Sequence, residues 1–219
     1  MESRAGYGRA TGHIALLGDS IFDNAAYTRG APDVVTHLQR LLPKPWKATS
    51  CAVDGATTGS FESQLSCVPD DVTHLVVSIG GNDALRSIEL LSLRVTSISE
   101  ALETLAERIA AFERRYRSAL QNVMALERQT AVCTVYNGAL DPDIATAART
   151  GLALFNDVIL RTAVDLNVRA LELRSVCTEL GDYANPIEPS GEGGFKIASA
   201  IARMLVNDRG STRAVLTGM

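Results

Sequence analysis

Ser20 closes the tripeptide Gly18-Asp19-Ser20, directly after the apolar run HIALLG at 13–18. A serine just past a strand and ahead of a turn exposes its hydroxyl, and glycine lets backbone N–H groups come close to an anion. Two later stretches add donors: VDGATTGS, carrying Gly55, and GGND, carrying Asn82. Together the Ser20 N–H, the Gly55 N–H and the Asn82 side-chain amide form a three-donor oxyanion hole. One such donor is typically worth ~2.7–4 kcal/mol of barrier. The chemistry this suits is acyl transfer through Ser20. Taken singly, Gly-Asp-Ser is a common turn tripeptide, Asn82 a helix cap, and Gly55 and Gly59 turn residues. Their order along the chain carries the signal.

With those residues in view, the sequence resembles the SGNH/GDSL hydrolase (esterase/lipase) superfamily, whose markers are a serine, a glycine, an asparagine and a histidine. The first three blocks match at Gly18-Asp19-Ser20, Gly55 and Gly81-Asn82-Asp83, and the resemblance spans about residues 12–206. It implies an α/β/α sandwich and cofactor-free ester hydrolysis through an acyl-enzyme. The fourth block in that family is Asp-x-x-His. Here the matching stretch is NPIEPSGEGGFKIA, with Asn185 at the aspartate position and Glu188 at the histidine position. The two residues that normally activate the nucleophile are replaced.

No histidine is placed to substitute. His13 opens strand one and His74 precedes strand three, at the far end of the sheet from Ser20, and His37 falls inside the first helix. Glu188 has three readings. As a general base it accepts the Ser20 proton directly, and Asp182, Asp19 or Asp23 supports it. Unperturbed Glu titrates near ~4.3 against ~6.5 for His. At a Brønsted sensitivity near one half, that difference costs only roughly tenfold, and burial recovers part of it. Serine-carboxyl peptidases resemble such a pairing. As a ligand contact, Glu188 binds a cationic group without cleavage. As a structural residue, it satisfies a loop hydrogen bond.

The segment after Ser20 is expected to line the cleft through Asp19, Phe22, Asp23, Asn24 and Tyr27, with Tyr183 and Asn185 on the opposite wall. Tyr residues near strand ends also serve as packing. Asp83 reads as a cap. Metal is disfavoured, because Asp19 and Asp23 have no nearby histidine and no dense acidic spacing.

Composition narrows the partners. The 219 residues are 46% hydrophobic, enough for one cored domain, and the net charge is −4 without a basic run. Nucleic acid and acidic membrane surfaces are therefore unexpected partners. The four cysteines, Cys51, Cys67, Cys133 and Cys177, lack metal-ligand spacing and read as reduced core thiols. No segment reaches the ~20 apolar residues of a membrane span, and the N-terminus lacks a signal-peptide pattern. A cytoplasmic location is the expectation.

The elements that must position these residues alternate. Strands are expected at 13–18, 46–53, 74–80, 130–136 and 168–173, apolar enough for a parallel sheet covered on both faces. Helical periodicity is expected over 32–42, 102–126, 152–166 and 197–205. This predicts one α/β domain over 1–219, a three-layer sandwich with a five-stranded sheet in the flavodoxin-like order 2-1-3-4-5, and a loose tail at 207–219. The functional expectation is a serine esterase acting on a small carboxylic ester without cofactor. A silent ligand-binding protein or an acyltransferase on the same site is the alternative.

Overall fold

The computed structural model describes residues 11–206 and 216–217. A parallel sheet forms its centre: β1 (His13–Gly18), β2 (Lys47–Ser50), β3 (His74–Ser78), β4 (Gln129–Cys133) and β5 (Arg169–Leu171) lie in the order 2-1-3-4-5. A two-residue sixth strand, β6 (Leu216–Thr217), pairs with β5 in parallel. Of the expected tail at 207–219 only these two residues are described, and 207–215 and 218–219 lie outside the described residues.

Every residue of β1 is buried, as befits a central strand covered on both faces. Its side chains alternate between two cores. Ile14 and Leu16 pack with Val34, Leu38, Ile197 and Ile201. Ala15 and Leu17 pack with Phe112, Tyr116, Phe155 and Ile159. Helices α1 (Val34–Leu41) and α5 (Gly191–Val206) therefore cover one face, and α3 (Ile98–Met124) and α4 (Pro142–Asp165) the other.

Local chemistry sets the helix ends. Asp33 caps α1 by accepting from the Thr36 N–H, and Ser97 caps α3 by accepting from the Glu100 N–H. Helix α4 starts at Pro142 behind the Asp141 cap, ten residues before the expected boundary. Proline at the first turn loses no hydrogen bond there. The apolar periodicity that suggested a start near Leu152 sees only the half of α4 that is packed in the core.

At the carboxyl end of β1 the backbone is fixed by close approach. Gly18 has φ +141°, and a Cβ there would stand 1.8 Å from the Ser78 carbonyl oxygen of β3. Only glycine fits. The Gln64 side chain, 3% exposed, then brackets Gly18: its Oε1 accepts from the Gly18 N–H at 2.8 Å and its Nε2 donates to the Gly18 carbonyl at 2.7 Å.

Cys51 and Cys67 form a disulfide, with Cα atoms 5.6 Å apart. This corrects the expectation of reduced thiols at those positions and removes the support they lent to a cytoplasmic assignment. Cys51 directly follows β2 and Cys67 closes the short helical segment Phe61–Cys67, so the bridge encloses the loop that carries Gly55. Cys133 and Cys177 are free and buried.

Replacing Gln64 with leucine, which keeps its volume, orphans the buried Gly18 N–H. The expected loss is about 1–3 kcal/mol of stability, read from urea unfolding midpoints. An unchanged midpoint would show that the side chain does not hold Gly18.

Candidate active site

Gly18 leads into a turn in which the Asp19 carbonyl accepts from the Phe22 and Asp23 N–H groups, at 3.0 and 3.1 Å. The Asp19 N–H donates to the Ser78 carbonyl, so the turn is anchored to β3. Ser20 sits on this turn at 7% exposure. Among the described residues, neither the Ser20 N–H nor the Gly55 N–H makes a hydrogen bond. Asn82, in the short helix α2 (Gly81–Leu85), gives one amide hydrogen to the Ala56 carbonyl at 2.9 Å. A primary amide carries two, so one remains.

The loop of Gly55, where φ is +76°, is held from three sides. Asp23 accepts from the Asp54 N–H at 2.9 Å, and the Tyr27 hydroxyl donates to the Asp54 carboxylate at 2.6 Å. Buried Asp83 accepts from both the Thr58 N–H and the Thr58 hydroxyl. The disulfide closes the loop behind. Asp23, Tyr27 and Asp83 thus join the three sequence blocks to one another.

Glu188 reaches Ser20 from the loop after β5. Asn185 Oδ1 accepts from the Ile187 and Glu188 N–H groups at 3.0 and 2.9 Å, forming an Asx turn. The Tyr136 hydroxyl donates to the Ile187 carbonyl at 2.6 Å, and the Ala184 N–H to the Glu188 carbonyl at 2.8 Å. Burial raises the Glu188 carboxyl above the ordinary range, the neighbouring Ser20 side chain opposes the rise, and the Asp54 charge adds to it. Its Oε2 is buried without a partner.

Asp19 stands beside it. Its Oδ1 accepts from the Ile21 N–H at 3.1 Å, while its Oδ2 is buried and unpartnered. Burial pushes its carboxyl up to about 7, against the Ile21 hydrogen bond and with help from the Glu188 and Asp83 charges.

Asp19, Ser20, Asn82 and Glu188 line one end of a cavity of about 530 Å³. The rest of its wall is mostly apolar, from α2 and the 88–95 segment, from α3 and from α4, with Leu85, Leu91, Leu105, Leu152 and Phe155 among its side chains. That volume falls within the ~300–1,000 Å³ usual for small-molecule sites.

The model of the GDSL-like Lipase/Acylhydrolase family matches residues 16–193. The chain belongs to that family. No curated protein sequence matches it. Among solved structures, an extracellular lipase from Streptomyces rimosus superposes with a TM-score of 0.64 at 16% identity, covering 87% of this chain and 98% of its own. Phospholipase A1 from Streptomyces albidoflavus NA297 gives 0.66 at 16% identity, covering 88% and 98%. A catalytic mutant of the acetylxylan esterase Axe2 from Geobacillus stearothermophilus gives 0.64 at 17%, covering 90% and 95%.

Against this GDSL-like framework, several expected site residues are placed elsewhere. Phe22 and Asn24 are both fully buried, which corrects their expected role in lining the cleft. Phe22 belongs to the core beneath α1 and α5. Asn24 accepts from the Val34 N–H and donates to the Pro189 carbonyl, tying the serine turn to α1 and to the Glu188 loop. Tyr183 packs edge-on against Tyr136 and donates to the Cys177 carbonyl, away from the cavity wall. Asn185, Asp23 and Tyr27 act on backbone and loop neighbours, as above, and do not line the cavity.

Asp182 is 1% exposed, and its carboxylate pairs with Lys196 at 2.7 Å and accepts from the Glu179 N–H at 2.9 Å. Neither contact reaches Glu188. The supporting acid expected there is corrected to a structural anchor for the start of α5. Asp19, named earlier as another candidate, is the acid that lines the cavity beside Glu188.

The three histidines are engaged elsewhere. His13 bonds Asp71 and Thr49, His74 bonds Thr73 and stacks near Trp46, and His37 meets Phe195 edge-on. None lines the cavity. Among the described residues, no group of three or more His, Cys, Asp or Glu side chains is placed to hold a metal ion. No helix there is long and apolar enough to cross a membrane.

Sequence reasoning missed Gln64, Tyr136 and the cavity wall. Leu105, Leu152 and Phe155 carried the helical periodicity that marks a core, and a lined cavity has the same signature.

The raised Asp19 carboxyl makes stability depend on pH. Unfolded Asp ionises near ~3.9, whereas the folded group keeps its proton up to about 7. Between these values the folded state holds a proton the unfolded state has lost, so stability falls as pH rises from about 4 to about 7 and levels beyond. Asp19→Asn should remove that fall, gaining up to about 4 kcal/mol relative to wild type at alkaline pH. Urea midpoints of both proteins near pH 5 and pH 8 measure it. Parallel pH dependences would show that Asp19 ionises normally.

Proposed function

We propose that the protein is a serine esterase of the GDSL-like family whose general base is Glu188 and whose substrates carry an apolar acyl chain. The observation that carries this reading is the buried Glu188 carboxyl placed with Ser20 in the lining of a largely apolar cavity. A lipase, a phospholipase A1 and an acetylxylan esterase are among the structural neighbours, which supports ester chemistry here.

In this mechanism the Ser20 oxygen attacks the ester carbon while its proton passes to Glu188. The negative charge gathers on the former carbonyl oxygen, facing the Ser20 N–H, the Gly55 N–H and the spare Asn82 amide hydrogen. Collapse breaks the bond to the alcohol, which takes the proton from Glu188. Water then attacks the acyl-serine, giving its proton to Glu188, and release of the carboxylic acid returns that proton to Ser20. An alcohol in place of water gives acyl transfer by the same steps. A carboxylate serves here because burial raises its basicity toward the value a proton shuttle needs at neutral pH.

The wall of the cavity selects the acyl group. Burying one CH₂ is worth about 0.8 kcal/mol, or roughly fourfold in kcat/KM. Hydrolysis of p-nitrophenyl esters should rise by about that factor per added carbon until the cavity is filled. Gly151 offers a clean test, because it lines the cavity and a Cβ built there meets nothing within 4 Å. Gly151→Leu should shorten the preferred chain while leaving acetate ester turnover within about twofold. A chain-length profile identical to wild type would place the acyl group elsewhere.

Covalent capture tests the nucleophile. A fluorophosphonate should add one adduct to wild type by intact mass and none to Ser20→Ala. Adduct formation on the Ser20→Ala variant would remove Ser20 from the role. A wild type that resists capture and cleaves no ester would leave the site as a binding pocket.

A further inference from the structure

A second cavity of about 280 Å³ is lined on one side by Thr57 and Gly59, just past Gly55 in the chain. Its wall is unlike that of the first. Three arginines, Arg86, Arg108 and Arg115, surround it with Thr57, Gly59, Asp83 and Ser87, above the rings of Phe112 and Phe155. We propose that this cavity is an anion-binding subsite for a phosphate group.

The arrangement is built by the fold. Arg108 and Arg115 stand seven residues apart on α3, two turns, so they share one face, with Phe112 between them. Arg86 follows directly after α2. Their present partners leave capacity. Arg86 is exposed and has no ion pair among the described residues. Arg115 comes no closer than 3.9 Å to Asp83. Arg108 reaches Ser87 Oγ at 3.3 Å and pairs with Glu89 at 3.1 Å.

Two acids face the same arginines. Asp83 is spent on Thr58, accepting from its N–H at 2.9 Å and its hydroxyl at 2.7 Å. Glu89 is solvent-facing, with 58% of its side chain exposed, and can swing aside. Three guanidinium groups against these two carboxylates leave net positive charge in a polar cleft. A guanidinium presents its donors as a rigid fork that matches phosphate oxygens two at a time. The Gly59 N–H, which makes no hydrogen bond among the described residues, adds a neutral donor.

The two cavities share Ser87 and Phe155. A phosphate in the subsite can therefore be a free ion or the headgroup of an amphiphile whose chain occupies the apolar cavity. The subsite does not depend on turnover at Ser20.

Isothermal titration and thermal denaturation with inorganic phosphate and with decyl phosphate, at constant ionic strength set by sodium chloride, test the proposal. At least one probe should bind and raise Tm. The Arg86→Gln/Arg115→Gln variant should bind it at least about tenfold more weakly, a loss of about 1.4 kcal/mol. Glu89→Gln, which frees Arg108, should bind it more tightly, and Ser20→Ala should bind as wild type does. Binding of both probes assigns the subsite to the phosphate group itself, and binding of decyl phosphate alone assigns it to a headgroup. The arginines are exposed enough that the double variant should fold, which its Tm without ligand checks. Absence of binding by either probe overturns the proposal. So does equal binding by wild type and a folded double variant, or the same Tm gain from chloride.

Discussion

Asp19 and Glu188 share one buried pocket with the Ser20 hydroxyl, and among the described residues no cation pairs with either acid. Removing a carboxylate from water is costly, and a second nearby negative charge adds to the cost. The pair therefore resists full ionisation, and its protons leave in coupled steps. Burial holds the Asp19 proton up to about 7, and burial also raises the Glu188 carboxyl above its ordinary range. In the proposed mechanism a protonated Asp19 favours the charge on Glu188 that a base requires, because it puts no second negative charge beside it. In that mechanism, burial raises the basicity of the glutamate that takes the place of histidine.

The scaffold turns this electrostatic constraint into a fixed geometry. The contact between Gly18 and the Ser78 carbonyl fixes where β1 ends, and Gln64 holds that end in place. Asn24 ties the serine turn to α1 and to Pro189, next to Glu188. Asp23 and Tyr27 hold the Gly55 loop through Asp54. Several polar side chains close to Ser20 in sequence are thus spent on aligning three loops. In the proposed mechanism the largely apolar cavity from α2 to α4 receives the substrate.

The strand order and the α/β/α layering were legible in the sequence because parallel strands covered on both faces are continuously apolar. The family was legible because Gly18-Asp19-Ser20, Gly55 and Gly81-Asn82-Asp83 follow successive strands. Glu188 could be placed by its register with Asn185 and Pro189. What could not be read depends on direction in space. Phe22, Asn24 and Asp182 look like cleft residues from their position beside Ser20 or Glu188, yet their side chains point into the protein. Leu105, Leu152 and Phe155 have core periodicity, and only three dimensions show that they surround an open cavity. The Cys51–Cys67 bridge joins residues whose spacing carries no motif. Its partners meet because the loop folds back on itself.

The most direct test of the central claim is the pH dependence of kcat/KM for one p-nitrophenyl ester, measured on wild type and Glu188→Gln. The account predicts that wild-type activity rises with pH along a single-proton limb lying above the ordinary Glu range of about 4.3, since the base must lose its proton to act. It also predicts that Glu188→Gln loses about 10²–10⁴-fold, the usual contribution of a positioned base, together with that limb. A Gln variant that keeps both the rate and the limb would contradict it, and would remove Glu188 from the chemistry.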